Sequence, residues 1–335
     1  MLTASCGHDE FAGENNASEN GRIEFRAALP QLSSRATEIN GSSLENFEVS
    51  SFTIGSLSET PYFLNKSFAK NAVTGMFVSY DPKCIWPNSN DLLRFIAYTP
   101  SREEMRVAGN FGETDFTFTP IADGQTIAEG DYRLSNFKIA HDIASQIDFI
   151  TAIASGRLVD NDEEGVKLDF QHQLSRIELK AWGASKSFDI EIAGVRLGGV
   201  ATQGEFGFTS AAGATDATKA GSWLSVVKGN VEYIFRDGDH IVSLDKTEGS
   251  PLSADKAVSI LGARVGDGDG YDNSAMVIPS NNSAWAYKDN AENGSDHDDD
   301  MYFSVLLRVT DTTPYDSGKI IYPYSDETDG MERVY

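Results

Sequence analysis

The clearest pattern of apolar and polar positions along the chain lies between Val166 and Trp182. Up to Leu174, every second side chain falls on one face, which is the period of a half-buried strand. The positions on that face are Val166, Leu168, Phe170, His172 and Leu174. After Leu174 the apolar phase slips by one residue, so a straight strand would turn its remaining apolar side chains toward water. The pattern predicts a β-bulge near Ser175 and Arg176, and a strand that bends or passes from one sheet to another.

Short alternations of the same kind recur along the chain and predict an all-β fold. The first comprises Ile23, Phe25 and Ala27, which we expect to form an edge strand followed by an exposed polar loop. Leu92–Tyr98 is almost continuously apolar, as in a central strand covered on both faces. Met301–Val309 gives the strongest alternation of the second half. Thirty glycines supply turns between such strands.

The net charge excludes several classes of partner. The chain has 27 basic and 51 acidic residues, and its formal net charge is -24. Nucleic-acid-binding proteins present clustered Lys and Arg to phosphates, so no nucleic-acid partner is expected. An anionic membrane surface is disfavoured for the same reason. The two cysteines, Cys6 and Cys84, do not suggest a disulfide framework, and no apolar run reaches the roughly 20 residues of a membrane span.

Side chains suited to catalysis or metal binding are scattered. None of the five histidines has a second ligand at zinc spacing, and no nucleophile or phosphate-loop motif is present. His172 lies on the apolar face of its strand, which favours a hydrogen-bonded core histidine. Asp267, Asp269 and Asp272 alternate as in a calcium loop, but Ile278 occupies the position of the bidentate glutamate, so a solvated loop is favoured. We expect no enzyme activity and no cofactor.

The first residues read as the end of a bacterial lipoprotein signal. Leu2–Cys6 (LTASC) places small side chains before a cysteine whose thiol can receive lipid. The charged and apolar regions that precede such a cysteine are not in the sequence, so we expect the natural chain to begin earlier. Residues 7–20 are polar and would serve as a tether. The alternative is that Cys6 is an ordinary residue of a disordered leader.

Several motifs resemble the fimbrillin-like lipoproteins of Bacteroidales, which are the subunits, tips and anchors of type V pili. The pattern from Val166 to Ser175 (VKLDFQHQLS) carries this resemblance most clearly. Ile85-Trp86-Pro87, followed by Leu92–Tyr98, is similar to a second motif of the family. Met276–Pro279 resembles a family strand that ends in proline, although serine follows it here where a glutamine is usual.

The resemblance implies a fold and a mode of assembly. The fold would be two tandem transthyretin-like Greek-key β-sandwich domains, 21–162 and 163–335, after a tether at 1–20, and we expect the second domain to be incomplete at its C-terminus. In the family, an arginine-specific protease cuts a loop after the first strand, and Arg35 matches that position. The first strand, with Ile23, Phe25 and Ala27, then leaves, and a strand from the next subunit fills the groove.

Three further segments carry local expectations. Gly194 separates two alternations of opposite phase, which predicts a bulge. Asp237-Gly238 lies between two apolar runs and favours a hairpin turn. His141–Ser155 fits the period of a helix, whereas Gln146–Ala152 resembles a strand-like segment of the family, and both interpretations stay open.

The expected function is a structural subunit of a cell-surface fimbrium, as stalk, tip or anchor, attached to the outer membrane by a lipid on Cys6. Its partners would be other fimbrial subunits and host or bacterial surface ligands. The alternative is a surface lipoprotein that binds glycans or host ligands without polymerising, through aromatic side chains such as Trp223 and Trp285. A secreted hydrolase is the third and least favoured interpretation.

Overall fold

Strands form almost all of the regular structure of the chain. The computed structural model describes residues 21–29, 43–54, 59–108, 117–120, 132–140, 143, 146–161, 163–183, 185, 187–208, 221–228, 233–244, 257–260, 275–281, 300–322 and 332–334. Within these ranges the strands are β1 (Glu24–Ala28), β2 (Asn46–Ile54), β3 (Glu59–Lys70), β4 (Phe77–Val78), β5 (Leu93–Thr99), β6 (Thr117–Pro120), β7 (Tyr132–Lys138), β8 (Ile150–Gly156), β9 (Val166–Asp169), β10 (Gln171–His172), β11 (Ser175–Ile177), β12 (Lys180–Ala181), β13 (Phe188–Gly198), β14 (Ala201–Phe208), β15 (Ser222–Lys228), β16 (Tyr233–Ser243), β17 (Val258–Ser259), β18 (Ala275–Val277), β19 (Tyr302–Asp311), β20 (Ile320–Tyr322) and β21 (Glu332–Val334). The predicted all-β class is confirmed.

The described helices are short. They are α1 (Arg102–Ala108) and α2 (Leu158–Asn161). A capping box starts α1, because the Ser101 hydroxyl accepts the Glu104 amide at 3.2 Å and the Glu104 carboxylate accepts the Ser101 amide at 2.7 Å. This start positions Arg102, whose Nε donates to Oε2 of Glu48 at 3.1 Å.

The largest sheet closes on itself. Its strands pair in the order β10-β8-β5-β2-β3-β4-β1-β9. Only Phe170 separates β9 from β10, so one bent strand pairs with β1 at one end of this path and with β8 at the other. The predicted bend of this strand is therefore confirmed.

The chain then leaves this sheet, as the shift in its apolar phase predicts. β11 pairs in regular register with β18, outside the closed sheet. The bulge predicted near Ser175 and Arg176 is wrong, because the phase changes where the strand is interrupted, at Gln173 and Leu174. There the Gln173 side chain donates to Oγ1 of Thr151 at 2.9 Å and to the Gln171 carbonyl at 3.2 Å.

Two hydrophobic clusters cover the two faces of the closed sheet. The cluster that it encloses, the inner core, includes Phe25, Phe47, Phe68, Phe95 and Phe170. The outer core packs the opposite face of β2 and β5 against other sheets, as in the contact between Phe52 and Tyr132, whose ring centroids are 4.1 Å apart. Every residue of β5 is buried, between β2 and β8. The predicted central strand is confirmed.

One of the remaining sheets joins strands from both halves of the chain, and another is built from strands of the second half. A four-stranded sheet has the order β15-β14-β7-β6, and a second sheet contains β16, β13, β19, β20 and β21. Both β9 and β10 belong to the closed sheet, together with strands that precede residue 162. The predicted boundary between residues 162 and 163 therefore does not separate the sheets, and the division into two domains stays a prediction.

Gln146 ties distant parts of the outer core together. Its Oε1 accepts the Met276 amide at 2.8 Å, and its Nε2 donates to the Met276 carbonyl at 3.2 Å. The buried side chain thus satisfies both backbone groups of one residue, as a neighbouring strand would. β8 begins at Ile150, so of the two interpretations of this segment the strand holds from that residue onward.

Two local expectations in the second half have opposite outcomes. The register of β13 shifts between Ile192 and Gly194 against both of its neighbours, which confirms the bulge. The hairpin turn at Asp237 and Gly238 is wrong, because both residues lie inside β16, where Asp237 pairs with Gly194. Pairing resumes at Val242, opposite Ile192, so the register of β16 is irregular just after the Asp-Gly pair. β19 confirms the strand predicted for Met301–Val309.

Candidate functional site: the seat of the first strand

β1 is an internal member of the closed sheet. It pairs antiparallel with β4, where Phe25 lies opposite Phe77, and parallel with β9, where Phe25 lies opposite Val166. The expectation of an edge strand is therefore wrong. The sequence pattern of β1 marks its buried face but cannot show that the bent strand returns to pair with its second edge. We call the space that β1 fills, between β4 and β9, the seat.

The side chains of β1 enter the inner core. Ile23, which precedes the strand, and Phe25 are both 0 % exposed. The Phe25 ring makes edge contacts with Phe68 and Phe95, at centroid distances of 4.8 and 5.1 Å, and a third with Phe47 at 6.0 Å. Edge-to-face packing of this kind adds to the free energy gained by burying the ring. Phe25 is thus the main side-chain anchor of β1.

The segment before β1 is held by polar contacts with residues 79–86, which we call the clasp. The Gly21 carbonyl accepts the Trp86 amide at 2.7 Å, and the Ile23 amide donates to the Cys84 carbonyl at 3.1 Å. Nη1 of Arg22 donates to the Ser79 carbonyl at 2.9 Å. The same guanidinium lies 5.5 Å from the ring centroid of Tyr80, a cation–π contact on an exposed ring.

The other end of β1 is held by smaller groups. Ala27 is only half-buried, and it lies opposite Leu168 of β9. The Ala28 carbonyl accepts the Phe170 amide at 2.8 Å. Arg26 pairs with Glu164 at 3.1 Å, but both side chains are largely exposed, so this ion pair contributes little free energy. The attachment of β1 is therefore strongest over residues 21–25.

Gly165 lets the backbone approach β1 closely just before β9 begins. Its φ is +67°, in the left-handed region, and a Cβ here would lie 2.8 Å from the Glu24 carbonyl oxygen and 2.4 Å from Cε of Met76. The Gly165 amide donates to the Asn161 carbonyl at 3.1 Å, at the end of α2. A side chain at this position would push against β1 itself.

Cys84 belongs to the clasp, and its side chain lies in the inner core. It is a free cysteine with 0 % exposure. Burial raises the pKa of its thiol, so the unreactive protonated form is favoured. Trp86 is also buried in this core. Because the thiol is covered while β1 is bound, its accessibility can report on the strand.

Of the residues predicted to carry function, only those of β1 can be placed. Arg35, the lipid-attachment residue Cys6 and the calcium-loop residues Asp267, Asp269 and Asp272 lie outside the described residues, so these assignments stay predictions. No cluster of three potential metal ligands occurs in the part of the chain that the structure describes. The described helices include none that is long and apolar enough to cross a membrane.

Two other residues singled out in the sequence have structural roles. His172 is half-buried and its Nδ1 lies 2.6 Å from Oδ2 of the buried Asp148, which confirms a hydrogen-bonded core histidine. Trp223 packs edge-on against Phe206 at 5.2 Å, and its Nε1 donates to the Gln173 carbonyl at 2.9 Å. Trp223 is therefore occupied in packing, which disfavours it as a glycan platform; Trp285 lies outside the described residues.

Comparison with known proteins decides the family. The sequence model of the family described as fimbrillin-like matches residues 34–311. The chain belongs to the fimbrillin-like family. No curated protein sequence matches this fimbrillin-like chain. Among solved structures, it is similar to a fimbrial protein from Bacteroides vulgatus, with 13% identity, a TM-score of 0.53, and coverage of 93% of this chain and 88% of that one.

A second solved structure has a lower score. It is the fimbrial anchor protein Mfa2 from Porphyromonas gingivalis, with 9% identity, a TM-score of 0.29, and coverage of 88% of the fimbrillin-like chain and 79% of Mfa2. Family membership, and not these similarities, supports the role of a fimbrial subunit at the cell surface, in association with other subunits. The family is structural and not enzymatic.

Proposed function

We propose that this chain is a structural subunit of a cell-surface fimbrium and that it assembles by strand exchange. β1 leaves its seat, and a strand from a neighbouring subunit takes its place. The observation that supports this proposal is the position of β1, an N-terminal strand that completes a closed sheet and fills an aromatic groove. A missing strand in such a sheet is a template for strand addition.

The physical cost of an empty seat explains why exchange would be tight. Loss of β1 exposes the inner core and leaves unpaired backbone groups on β4 and β9. Exposing Ile23 and Phe25 alone costs about 1.5–3 kcal/mol per side chain. A strand from another subunit restores both the burial and the pairing, so the filled states are favoured over the empty one.

Processing and membrane attachment complete the proposal. Cleavage after Arg35 would free the weakly held end of β1, while the clasp would still hold the other end. Lipid on Cys6 would tether the unprocessed subunit to the outer membrane. The same exchange would serve a stalk or an anchor, and a tip could carry a surface ligand site in addition.

The test uses the complete lipidated protein, treated with an arginine-specific protease and run unheated on a denaturing gel. We expect a ladder of resistant multimers for the wild type, and its loss in Arg35→Ala. The matched control is Arg26→Ala. It removes an exposed arginine of β1, which is an internal strand of the closed sheet, and it should leave the ladder intact. A single cut band without multimers in the wild type would contradict assembly by strand exchange.

A thiol probe tests departure of the strand separately from assembly. In a Cys6→Ser chain, Cys84 is the one remaining cysteine of the sequence. We expect it to resist a thiol reagent before cleavage and to react when β1 is displaced. Reaction at the same rate in intact and displaced chains would show that β1 does not cover the inner core.

A further inference from the structure

We propose that the seat recognises an incoming strand chiefly through one aromatic side chain, at the position of Phe25. This inference rests on the proposed strand exchange and specifies its ligand. The ligand is an extended peptide that runs in the direction of β1, with an aliphatic residue two positions before the aromatic one and small residues permitted after it.

The side chains along β1 are buried to different degrees. Ile23 and Phe25 are 0 % exposed, whereas Ala27 is half-buried and Arg26 is exposed. Free energy from burial scales with the apolar area removed from water, so the first two side chains supply most of it. A replacement strand has little to gain from large side chains at positions 26–28.

The rings around Phe25 give its site a defined shape. Phe68 and Phe95 present their rings edge-on to Phe25, at interplanar angles of 80° and 83°. Two nearly perpendicular contacts fix the plane of the third ring, so the site selects a flat aromatic side chain over a branched aliphatic one. Phe47 contributes a third, more distant contact at 69°.

The register of β1 in its seat also constrains an incoming strand. In a strand, moving by one residue exchanges the buried and the exposed faces. Opposite Phe25, the pairings with Phe77 and Val166 fix which residue faces inward. A peptide displaced by one position would place a residue such as Arg26 against three phenylalanine rings. A single aromatic residue therefore sets both affinity and alignment.

The test measures exchange of labelled peptides into the complete chain, cut at a protease site inserted between residues 36 and 40. The chain carries Arg22→Ala, which weakens its own β1, and the fluorescent peptide has the sequence of residues 21–29, GRIEFRAAL. Binding is followed by anisotropy. The peptides vary while the folded chain does not, so no result depends on whether a seat variant folds.

We expect the peptide with Phe25→Ala to bind about a hundredfold more weakly or worse, because it leaves an unfilled aromatic site. Phe25→Leu should be intermediate, and the matched change Ala27→Ser should stay within about threefold of the parent. If the parent peptide exchanges into the chain and the three variant peptides bind with the same affinity as the parent, this inference is overturned. Strand exchange itself would then still stand. Failure of the parent peptide itself to exchange would overturn the proposed function as well.

Discussion

The inner and the outer core differ in how their parts are joined. β1 contributes Phe25 to the inner core, where it meets Phe47, Phe68 and Phe95 from β2, β3 and β5 of the closed sheet. The outer core instead combines residues from Phe52 to Leu307, and contacts such as Gln146 with Met276 cross 130 positions of the chain. The inner core can thus lose β1, the first strand of the chain. The outer core is held together by segments that follow β1 in the sequence.

This difference suits a subunit that must open and still remain folded. An exchangeable strand requires that its removal disrupt one cluster and not the whole molecule. The outer core meets this requirement, because β1 contributes no residue to it among those described. Four variants, taken from the largest expected effect to the smallest, test whether the two cores behave in this way.

Phe25→Ala is expected to lower the free energy of unfolding by about 3–5 kcal/mol, because the cavity would lie among three phenylalanine rings. Urea denaturation measures the loss, and Cys84 labelling in a Cys6→Ser background should speed up in native buffer. Arg26→Ala, on the exposed face of the same strand, should change stability by less than about 0.5 kcal/mol. Equal effects of the two variants would contradict the role of Phe25 as the anchor.

Gln146→Ala is expected to lower stability by about 2–4 kcal/mol, since it leaves the buried amide and carbonyl of Met276 unpaired. Labelling of Cys84 should stay slow until global unfolding, because the outer core does not hold β1. The control is Gln203→Ala, which removes only an exposed side-chain contact to Asn136. Rapid labelling of the folded Gln146 variant would show that the two cores are coupled.

The Tyr98→Phe variant tests the outer face of β5, because it should change how folding stability depends on pH. Burial, and then the neighbouring Glu48 carboxylate, raise the pKa of Tyr98 well above its usual value of 10.0. Its protonated form is thus favoured in the folded state, and the associated stability is present below pH 10 and lost as pH rises toward the folded pKa. Wild-type stability should fall more steeply than that of the variant above pH 10.

At neutral pH, the same variant should lose about 1–2 kcal/mol, because the Tyr98 hydroxyl donates to the Glu48 carboxylate. Arg102 keeps its own contact with this carboxylate at 3.1 Å, so Glu48 is not left without a partner. Parallel stability curves for the two proteins from pH 9 to pH 11 would contradict the assignment of the alkaline loss to Tyr98.

Arg22→Ala has the smallest expected effect, about 1 kcal/mol, from its bond to the Ser79 carbonyl and its contact with Tyr80. Its distinct result is kinetic: β1 should leave several-fold faster after cleavage, as measured by Cys84 labelling. Arg22→Lys keeps the charge but not the planar guanidinium, and should lie between wild type and Arg22→Ala. Unchanged release in both variants would show that the clasp does not retain the strand.

Local patterns in the sequence locate the strands, but they do not show which strands pair with one another. The alternation of Ile23, Phe25 and Ala27 is sufficient to find β1 and its buried face. Its parallel pairing with β9 depends on residues more than 130 positions away, which periodicity cannot reveal. The same limit explains Asp237, which pairs with Gly194 of β13 inside a long strand despite the turn preference of its local sequence.

The site is predictable only in part for a related reason. The expectation that the first strand is replaceable came from family resemblance, and the apolar pattern showed which residues it would bury. Arg22 carried no sequence signal, since its role depends on a carbonyl and a ring at residues 79 and 80. The contact of Cys84 with the segment before β1 likewise depends on the fold, because it joins positions about 60 residues apart in the sequence.

Strand exchange that passes from each copy to the next, without a return exchange, also has a consequence for symmetry. The copy that gives a strand and the copy that accepts it between β4 and β9 then present different surfaces. Such a heterologous contact has no two-fold axis, and unless its rotation closes a ring it repeats without end. A fibre built in this way would be polar, with one end offering an open seat and the other an unused strand.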